Sequence, residues 1–286
     1  MEGLKLIECP RDAMQGITTF IPTDLKVKYL NELLKVGFDT IDIGSFVSPK
    51  AIPQLADTAE VLSRIDRSGS KSKLLVIVAN ERGAEEAVKQ ESVTYLGYPF
   101  SISETFQQRN TNTSIEGSWE RTSRIAEFAR ANGKELVVYI SMAFGNPYGD
   151  PWNAQVALHW TERLVKELGV RIIALSDTVG VARPEDITSM FSALIPALPN
   201  VEFGAHLHCS PDNWKMKTQA AWDGGCRRFD GAIKGYGGCP MAEDELVGNL
   251  QTELFVRSLE ERGMNTALDL AQLDRCVAEA AGVFPA

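Results

Sequence analysis

The sequence lacks several features that would indicate whole classes of protein. No apolar run approaches the roughly 20 residues that a membrane-spanning helix needs, so we do not expect membrane insertion. The 29 lysines and arginines are outnumbered by 38 aspartates and glutamates, and the net charge of -9 opposes binding to nucleic acid. An anionic small substrate stays compatible with this charge, because a metal ion or a few arginines can reverse the field inside a cleft.

The five cysteines have no regular pattern either. Their number is odd and no pair has CxxC spacing, which is typical of a reducing compartment rather than of a disulfide framework. The N-terminal residues enter a strand-like run at once, without the apolar core of a signal peptide or an Arg- and Ser-rich transit sequence. We therefore expect a cytoplasmic protein.

The composition is that of a folded protein with alternating strands and helices. Hydrophobic residues make up 44% of the chain and charged residues 23%, both near the averages of globular proteins. Segments with helical periodicity, such as 23–37 and 114–133, separate short apolar runs. Those runs predict eight strands, at 4–9, 40–44, 73–79, 93–100, 135–142, 171–178, 201–208 and 228–235.

Eight alternating strand–helix units predict one α/β domain, a (β/α)8 TIM barrel. We expect the barrel over about residues 4–260 and an additional C-terminal helical segment over about 261–286. A doubly wound open sheet is the alternative architecture. Such a sheet usually carries a Gly-rich phosphate loop after its first strand, and the sequence ECPRDAMQG is not such a loop.

Active sites of TIM barrels lie at the carboxyl ends of the strands, where this chain places two histidines. His206 and His208 are two residues apart on the seventh predicted strand, so their side chains point the same way about 7 Å apart and can bind one ion. An isolated HxH pair is more often two ordinary strand residues, and the position at a strand end is what favours a metal site.

Arg11 and Asp12 follow the first predicted strand and belong to the same rim. A carboxylate can bind a divalent cation and a guanidinium can bind an anionic oxygen, although an RD pair alone is more often a surface ion pair. Two imidazoles and one carboxylate form an N/O ligand set with open positions. Such a set suits Mg²⁺, Mn²⁺ or another divalent ion that must also hold substrate.

A glycine-rich loop, KGYGGCPMAEDELVGN, follows the eighth predicted strand. A lone cysteine such as Cys239 is more often an inert small hydrophobe than a reactive group. Its neighbours Gly237, Gly238 and Pro240 favour a constrained lid whose backbone can lie close to a ligand. Asn249, at the far end of the loop, offers a further oxygen ligand.

Several motifs together resemble those of a known family. They are PRDAMQ (10–15), SFVSPKAIPQ (45–54), SDTVG (176–180), HLH (206–208) and GGCP with GN (237–249). The chain is thus similar over nearly its whole length to the 3-hydroxy-3-methylglutaryl-CoA lyases, TIM-barrel metallolyases with an Asp-Arg-Glu signature. The combination of SFVSPK, HxH and the GGCP loop is specific, whereas any one motif is not.

The resemblance implies a metal site and a reaction. Asp12, His206, His208 and Asn249 would hold a divalent cation, most often Mg²⁺ or Mn²⁺, and no organic cofactor beyond the CoA thioester substrate is expected. Arg11 would polarise the thioester carbonyl and stabilise the enolate. The implied reaction cleaves 3-hydroxy-3-methylglutaryl-CoA to acetyl-CoA and acetoacetate, as in leucine or ketone-body catabolism, and a homodimer is the implied assembly.

Further roles follow from the same resemblance. Asp42 takes the place of the signature glutamate, Asp177 matches an acid on the sixth strand, and Cys239 matches a lid cysteine linked to proton transfer. Ser45 and Phe46 match a motif on the substrate side. For CoA itself, strand-end loops supply three candidates that are otherwise ordinary surface residues, namely Lys50, Arg109 and Asn110.

The chain departs from the family pattern at four places. Asp42 is one methylene shorter than glutamate, Ala13 replaces a common glycine, Glu8 lies one residue nearer the arginine, and the stretch from Cys239 to Asn249 is one residue longer. These departures leave two alternatives open. One is a lyase or condensing enzyme for a longer branched 3-hydroxyacyl-CoA, and the other is a non-catalytic barrel with a structural metal ion.

Overall fold

A closed barrel of eight parallel strands forms the centre of the molecule. The computed structural model describes residues 3–238 and 247–284. Each strand pairs with the next, and β8 pairs with β1 to close the barrel. The strands are β1 (Lys5–Glu8), β2 (Thr40–Ser45), β3 (Lys73–Ile77), β4 (Val93–Ser101), β5 (Glu135–Ser141), β6 (Ile172–Asp177), β7 (Glu202–Leu207) and β8 (Arg228–Gly231). The predicted TIM barrel is confirmed.

Helices surround the barrel. They are α1 (Pro10–Gln15), α2 (Thr23–Leu33), α3 (Thr58–Arg64), α4 (Glu81–Val88), α5 (Glu104–Thr111), α6 (Ile115–Ala131), α7 (Ala154–Leu168), α8 (Pro184–Ala197), α9 (Trp214–Asp223), α10 (Thr252–Glu261) and α11 (Leu270–Val283). Short polar residues begin several of them: the side chain of Ser114, for example, accepts a hydrogen bond from the Gly117 backbone N–H at the start of α6. None of the described helices is long and apolar enough to cross a bilayer.

The predicted strand boundaries agree with the structure to within two residues except at the eighth strand, which is four residues shorter than expected. It ends at Gly231, and a short 3₁₀ turn follows at Ile233–Gly235. Lys234 in this turn has a φ of 58°, a conformation that a continuing strand cannot adopt. The predicted C-terminal helical segment contains α11, which packs against α2 through the edge-to-face contact of Phe284 with Tyr29.

The barrel interior is divided into an apolar side and a charged side. Leu75, Tyr95, Val137 and Ile172 form an apolar inner cluster on β3 to β6. Around the closing seam, the interior carries buried charged and ionisable groups, which are Asp42, His206, Arg228 and Asp230. Since burying such groups is costly unless they are paired, this side of the barrel is where function is to be sought.

Candidate active site

Asp12, His206 and His208 meet at the carboxyl ends of β1 and β7. Asp12 lies in α1, directly after β1, while His206 is near the end of β7 and His208 just beyond it. Their potential ligand atoms all lie within 4.8 Å of one another, and all three residues are buried. Two imidazole nitrogens and one carboxylate oxygen at this spacing fit a divalent cation that keeps open positions for substrate.

Asn249 joins the same group. It forms an isolated antiparallel bridge with His208, and its Nδ2 donates to Asp12 Oδ2 at 2.5 Å and to the Tyr236 carbonyl at 2.8 Å. Because these bonds use the amide nitrogen, the side-chain oxygen is the ligand atom that Asn249 has left. The structure thus brings together the four residues predicted to hold the cation.

Gly237 allows the loop after β8 to lie against this group. It has a φ of +94°, and a Cβ at this position would lie 2.5 Å from the Asp12 carbonyl oxygen and 2.8 Å from Asn249 Nδ2. Only glycine fits such a conformation and such an approach. Cys239, the predicted proton donor, lies outside the described residues.

The electrostatics of the ligand group suit a cation. Burial lowers the pKa of His208 to about 4, so its ring is neutral, as a metal ligand must be. Burial alone would raise the pKa of Asp12, but the positive charge of Arg11, the electrostatic effect of the neighbouring imidazoles and the hydrogen bond from Asn249 bring it to about 2. Asp12 is therefore a carboxylate at neutral pH.

Arg11 is held in place by a network of hydrogen bonds. Its Nε and Nη2 donate to Asp42 Oδ2 at 3.0 and 2.6 Å, and its Nη1 donates to Asp12 Oδ1 at 2.9 Å and to Gln15 Oε1 at 2.8 Å. A guanidinium has five N–H groups, so these four contacts leave one on Nη2 without a partner among the described residues. Arg11 lines the cavity beside the histidines, where that N–H can bind a substrate oxygen.

Asp42 binds Arg11 on the side of the guanidinium that faces away from the cavity. It is completely buried and does not line the cavity in the described part of the chain. Burial raises its pKa to about 6, against the lowering effect of Arg11. Asp42, which the sequence predicted as a catalytic residue, thus contacts the guanidinium of Arg11 and does not reach the cavity.

The cavity above these residues has a volume of about 700 Å³. The cation group and Arg11 form one side of it, and an apolar wall with Val47, Ile52 and Phe106 forms another. Ligand cavities in proteins commonly have this size and combine an apolar wall with a few polar groups. Sequence reasoning missed several polar residues of the wall that end strands or follow them, which are Asn80, Ser141, Ser176 and Thr178.

The predicted CoA-binding residues are only partly brought together. Asn110 lines the cavity, whereas Lys50 is exposed and Arg109 lies over the Tyr148 ring at 5.2 Å. Ser45 and Phe46 line a neighbouring pocket of about 320 Å³, which shares Val47, Ser48 and Asn80 with the cavity. Among the described residues, these two pockets are therefore adjacent and share one wall.

Asp177 is buried at the end of β6 and does not line the described cavity wall. Its Oδ2 accepts a hydrogen bond from Lys217 Nζ at 2.5 Å, and its Oδ1 accepts one from the Ala182 backbone at 3.0 Å. Lys217 also donates to the Gly180 and His208 carbonyls, at 2.8 and 2.9 Å. Asp177 thus supports a metal-ligand candidate through Lys217, a buried lysine that no sequence motif indicated.

Comparison with known proteins places these features in one family. The HMGL-like family model matches residues 5–278. The rat cytoplasmic 3-hydroxy-3-methylglutaryl-CoA lyase is 33% identical over 94% of this chain and 78% of its own. The bovine mitochondrial hydroxymethylglutaryl-CoA lyase is 33% identical over 94% of this chain and 82% of its own.

Solved structures of HMG-CoA lyases are similar to this chain over nearly its whole length. The HMG-CoA lyase of Brucella melitensis has a TM-score of 0.90 and 31% identity, with both chains covered completely. An HMG-CoA lyase of Acinetobacter baumannii, in complex with coenzyme A and 3-methylmalate, also has a TM-score of 0.90 and 31% identity, and 98% of this chain and 91% of that chain are covered.

Proposed function

This chain belongs to the HMGL-like family and is a carbon–carbon lyase, and we propose that it cleaves 3-hydroxy-3-methylglutaryl-CoA to acetyl-CoA and acetoacetate in a divalent-metal-dependent reaction. The observation that carries the proposal is the convergence of Asp12, His206, His208 and Arg11 on one cavity wall. A chain that has kept this arrangement retains the groups that the reaction needs. The alternative of a non-catalytic barrel loses its support.

Asp12, His206, His208 and Asn249 would hold the cation, with Mg²⁺ and Mn²⁺ as the ions that suit this N/O set. Bound there, the ion would lower the pKa of the substrate hydroxyl and help to orient the substrate. The protein's part is to fix these ligands. Burial keeps His208 neutral and the positive charge of Arg11 keeps Asp12 ionised, so both side chains are in the protonation state that binds a cation.

Arg11 would stabilise the negative charge that develops during cleavage. As the hydroxyl loses its proton, its oxygen becomes the ketone oxygen of acetoacetate, and the bond to the acetyl group breaks to leave an enolate of acetyl-CoA. The remaining N–H of Arg11 Nη2 is available to the enolate oxygen, because the other four N–H groups are bound to Asp42, Asp12 and Gln15. A proton on the enolate carbon completes the reaction, and we assign its donation to Cys239 by family resemblance.

Removing and restoring the metal ion tests the proposed reaction. Protein dialysed against a chelator should release no acetoacetate from 3-hydroxy-3-methylglutaryl-CoA, and added Mg²⁺ or Mn²⁺ should restore the release. His208→Ala should abolish turnover, while His159→Ala, which changes an exposed histidine on α7, should not. Turnover without an ion would contradict the metal dependence, and no turnover with any divalent ion would contradict the substrate.

A longer branched 3-hydroxyacyl-CoA, cleaved or formed by condensation, is the second candidate. Asp42 is shorter than the signature glutamate, and its Oδ1 has no hydrogen-bond partner within the described structure. The apolar wall of the cavity can also bind a larger substituent than methyl. A panel of thioesters distinguishes the two: kcat/KM should rise with substituent length, and equal or lower values for the longer substrates would remove this candidate.

We also propose a homodimer in the cytoplasm that serves leucine or ketone-body catabolism. One curated relative is named cytoplasmic and another mitochondrial, so the cytoplasmic assignment rests on the chain's own cysteine pattern. The expected partner is a small acyl-CoA, an anion that the net charge of -9 does not exclude, because Arg11 and a bound divalent ion would supply positive charge inside the cavity. Sedimentation velocity of the purified protein tests the dimer, and a monomer at micromolar concentration would contradict it.

A further inference from the structure

Asp230 lies beneath the proposed metal site and contacts one of its ligands. It is 2% exposed, and its Oδ2 lies 3.2 Å from His206 Nδ1. In the pairing of β7 with β8, His206 and Asp230 are direct partners, so the strand register itself holds the two side chains together. This contact lies on the side of the ring away from the solvent and no sequence motif indicated it.

The contact decides which nitrogen of His206 is available to a metal ion. An ionised carboxylate can only accept hydrogen bonds, so Nδ1 must carry the proton when it bonds to Asp230. The lone pair is then on Nε2. Tyr139 packs edge-to-face against the same ring, with 5.6 Å between the centroids, and limits its rotation. Carboxylate partners of this kind commonly orient metal-binding histidines.

Arg228 keeps a positive charge close to Asp230. It lies two residues earlier on β8, on the same face of the strand, and is 1% exposed. Its Nη1 donates to Glu202 Oε1 at 3.1 Å, and its Nε and Nη2 have no hydrogen-bond partner among the residues described. Glu202, Arg228, Asp230 and His206 thus form a row of charged and polar groups along the barrel seam.

A second cation beneath the site is the competing interpretation. Potential ligand atoms of Cys9, His206 and Asp230 also lie within 4.8 Å of one another. Such an ion would have to displace the Nδ1 proton and lie near the guanidinium of Arg228, in a buried site where water screens the repulsion between like charges only weakly. The positive charge therefore favours one cation above His206 and a hydrogen bond below it.

We propose that Asp230 is a positioning residue that directs Nε2 of His206 toward a single divalent cation. The inference rests on the proposed metal site but concerns binding of the ion rather than turnover. Removing the carboxylate charge weakens the hydrogen bond at Nδ1 and lets the proton move to Nε2. The affinity for the ion then falls, although none of the ligands has been changed.

The test measures ion binding without substrate. Mn²⁺ binding, followed by the electron paramagnetic resonance of free Mn²⁺, should weaken about 10- to 100-fold in Asp230→Asn. Glu202→Gln is the matched control, because it removes an acid next to Arg228 that does not contact His206. It should bind Mn²⁺ like the wild type. The visible absorption of bound Co²⁺ should change in Asp230→Asn and stay unchanged in Glu202→Gln.

Thermal unfolding of the metal-free variants separates positioning from misfolding. If Asp230→Asn does not fold, Asp230→Ala, which removes the acceptor of the Nδ1 hydrogen bond altogether, takes its place in the same measurements and should weaken Mn²⁺ binding in the same way. Equal Mn²⁺ affinity in Asp230→Asn and wild type, equal weakening in Glu202→Gln, or two ions per wild-type chain would each overturn the proposal. Wild-type protein that binds one ion but cleaves no thioester would instead contradict only the proposed substrate.

Discussion

The arginine of the PRDAMQ motif shows how a single residue depends on its neighbours. The sequence predicted Arg11 and Asp42 as separate catalytic groups, but the structure joins them, since two N–H groups of Arg11 donate to one oxygen of Asp42. A charge-assisted bond of this type is about twice as strong as a neutral one and fixes the plane of the guanidinium. In the proposed reaction, Asp42 would therefore contribute through the orientation of Arg11.

Replacing Asp42 by asparagine should lower kcat and leave the fold intact. The amide side chain would retain an acceptor oxygen but not the charge, so Arg11 would be held less firmly when the enolate forms. We expect kcat of Asp42→Asn to fall by about 10- to 100-fold, less than for complete loss of a transition-state donor. Steady-state kinetics with the thioester measure the change.

Asp39→Asn is the control for this variant. Asp39 precedes β2, contacts Thr40 and Lys73, and lies at the opposite end of the strand from Arg11. Its replacement should leave kcat within about twofold, because surface changes of this kind are small. A kcat for Asp42→Asn equal to that of Asp39→Asn would show that Arg11 does not need the charge of Asp42.

Residues with chemical roles differed in how visible they were in the sequence. Arg11, Asp12 and the HxH pair were found because they follow strands and belong to motifs. Asp230 was not, because one acid in an apolar strand has no local pattern, and its role depends on the neighbouring strand that brings His206 opposite. Sequence periodicity carries no information on the register between two strands that are separated in the sequence by a helix.

At the scale of elements, one buried lysine joins three of them. Lys217 on α9 donates to Asp177 at the end of β6, to Gly180 in the following loop, and to the carbonyl of His208 after β7. An ammonium group has three N–H donors, and all three are used. Through Lys217, the backbone carbonyl of His208 is thus linked to α9 and to the end of β6.

Lys217→Met should be strongly destabilising. The substitution keeps much of the volume but leaves the carboxylate of Asp177 buried without its cation, which costs about 3–5 kcal/mol of unfolding free energy. Chemical denaturation of the metal-free protein measures it. Lys215→Met, an exposed position two residues away on α9, should change the free energy by less than about 0.5 kcal/mol. Equal stability of the two variants would contradict the role of Lys217.

The elements themselves were predicted better than their ends. Alternating apolar strands and helices with recognisable caps indicated all eight strands, because burial and local hydrogen bonding impose periodic patterns on the amino-acid sequence. The end of β8 was not recognised, since the run through Ala232 and Ile233 stays apolar while the backbone turns. The end of α2 was also missed: the helix ends at Leu33, four residues before the glycine that the sequence indicated as its end.

For the molecule as a whole, Glu8 couples pH to stability. It is buried at the barrel seam, where it accepts hydrogen bonds from the Ile233 backbone N–H at 2.8 Å and from the Thr252 hydroxyl at 2.6 Å. Burial raises the pKa of Glu8 from 4.5 to about 8, because these two bonds do not offset the loss of solvent. The folded protein therefore holds a proton that the unfolded chain has released.

The sign of the pH effect follows from this difference. Below pH 4.5 both states hold the proton and the stabilising contribution is complete; it is lost as the pH rises toward about 8. Glu8→Gln, neutral at every pH, should therefore show a smaller fall in unfolding free energy between pH 5 and 8 than the wild type. Denaturant titrations across this range measure it. Glu261→Gln, an exposed change on α10, should keep the wild-type slope, and a Glu8→Gln slope equal to it would refute the assignment.

Closure of the barrel also has a consequence for the order of events during synthesis and folding. Asp12 and Asn249 are 237 positions apart in the chain and meet only because β1 pairs with β8. A nascent chain that has left the ribosome only as far as α8 contains Asp12 but not yet His206 or His208, so it lacks two residues of the proposed ion-binding group. Contacts between such distant residues form late, because a long loop must close first. Binding of the ion would therefore report completion of the barrel, and a bound divalent ion would stabilise the closed barrel over chains in which β1 and β8 have not paired.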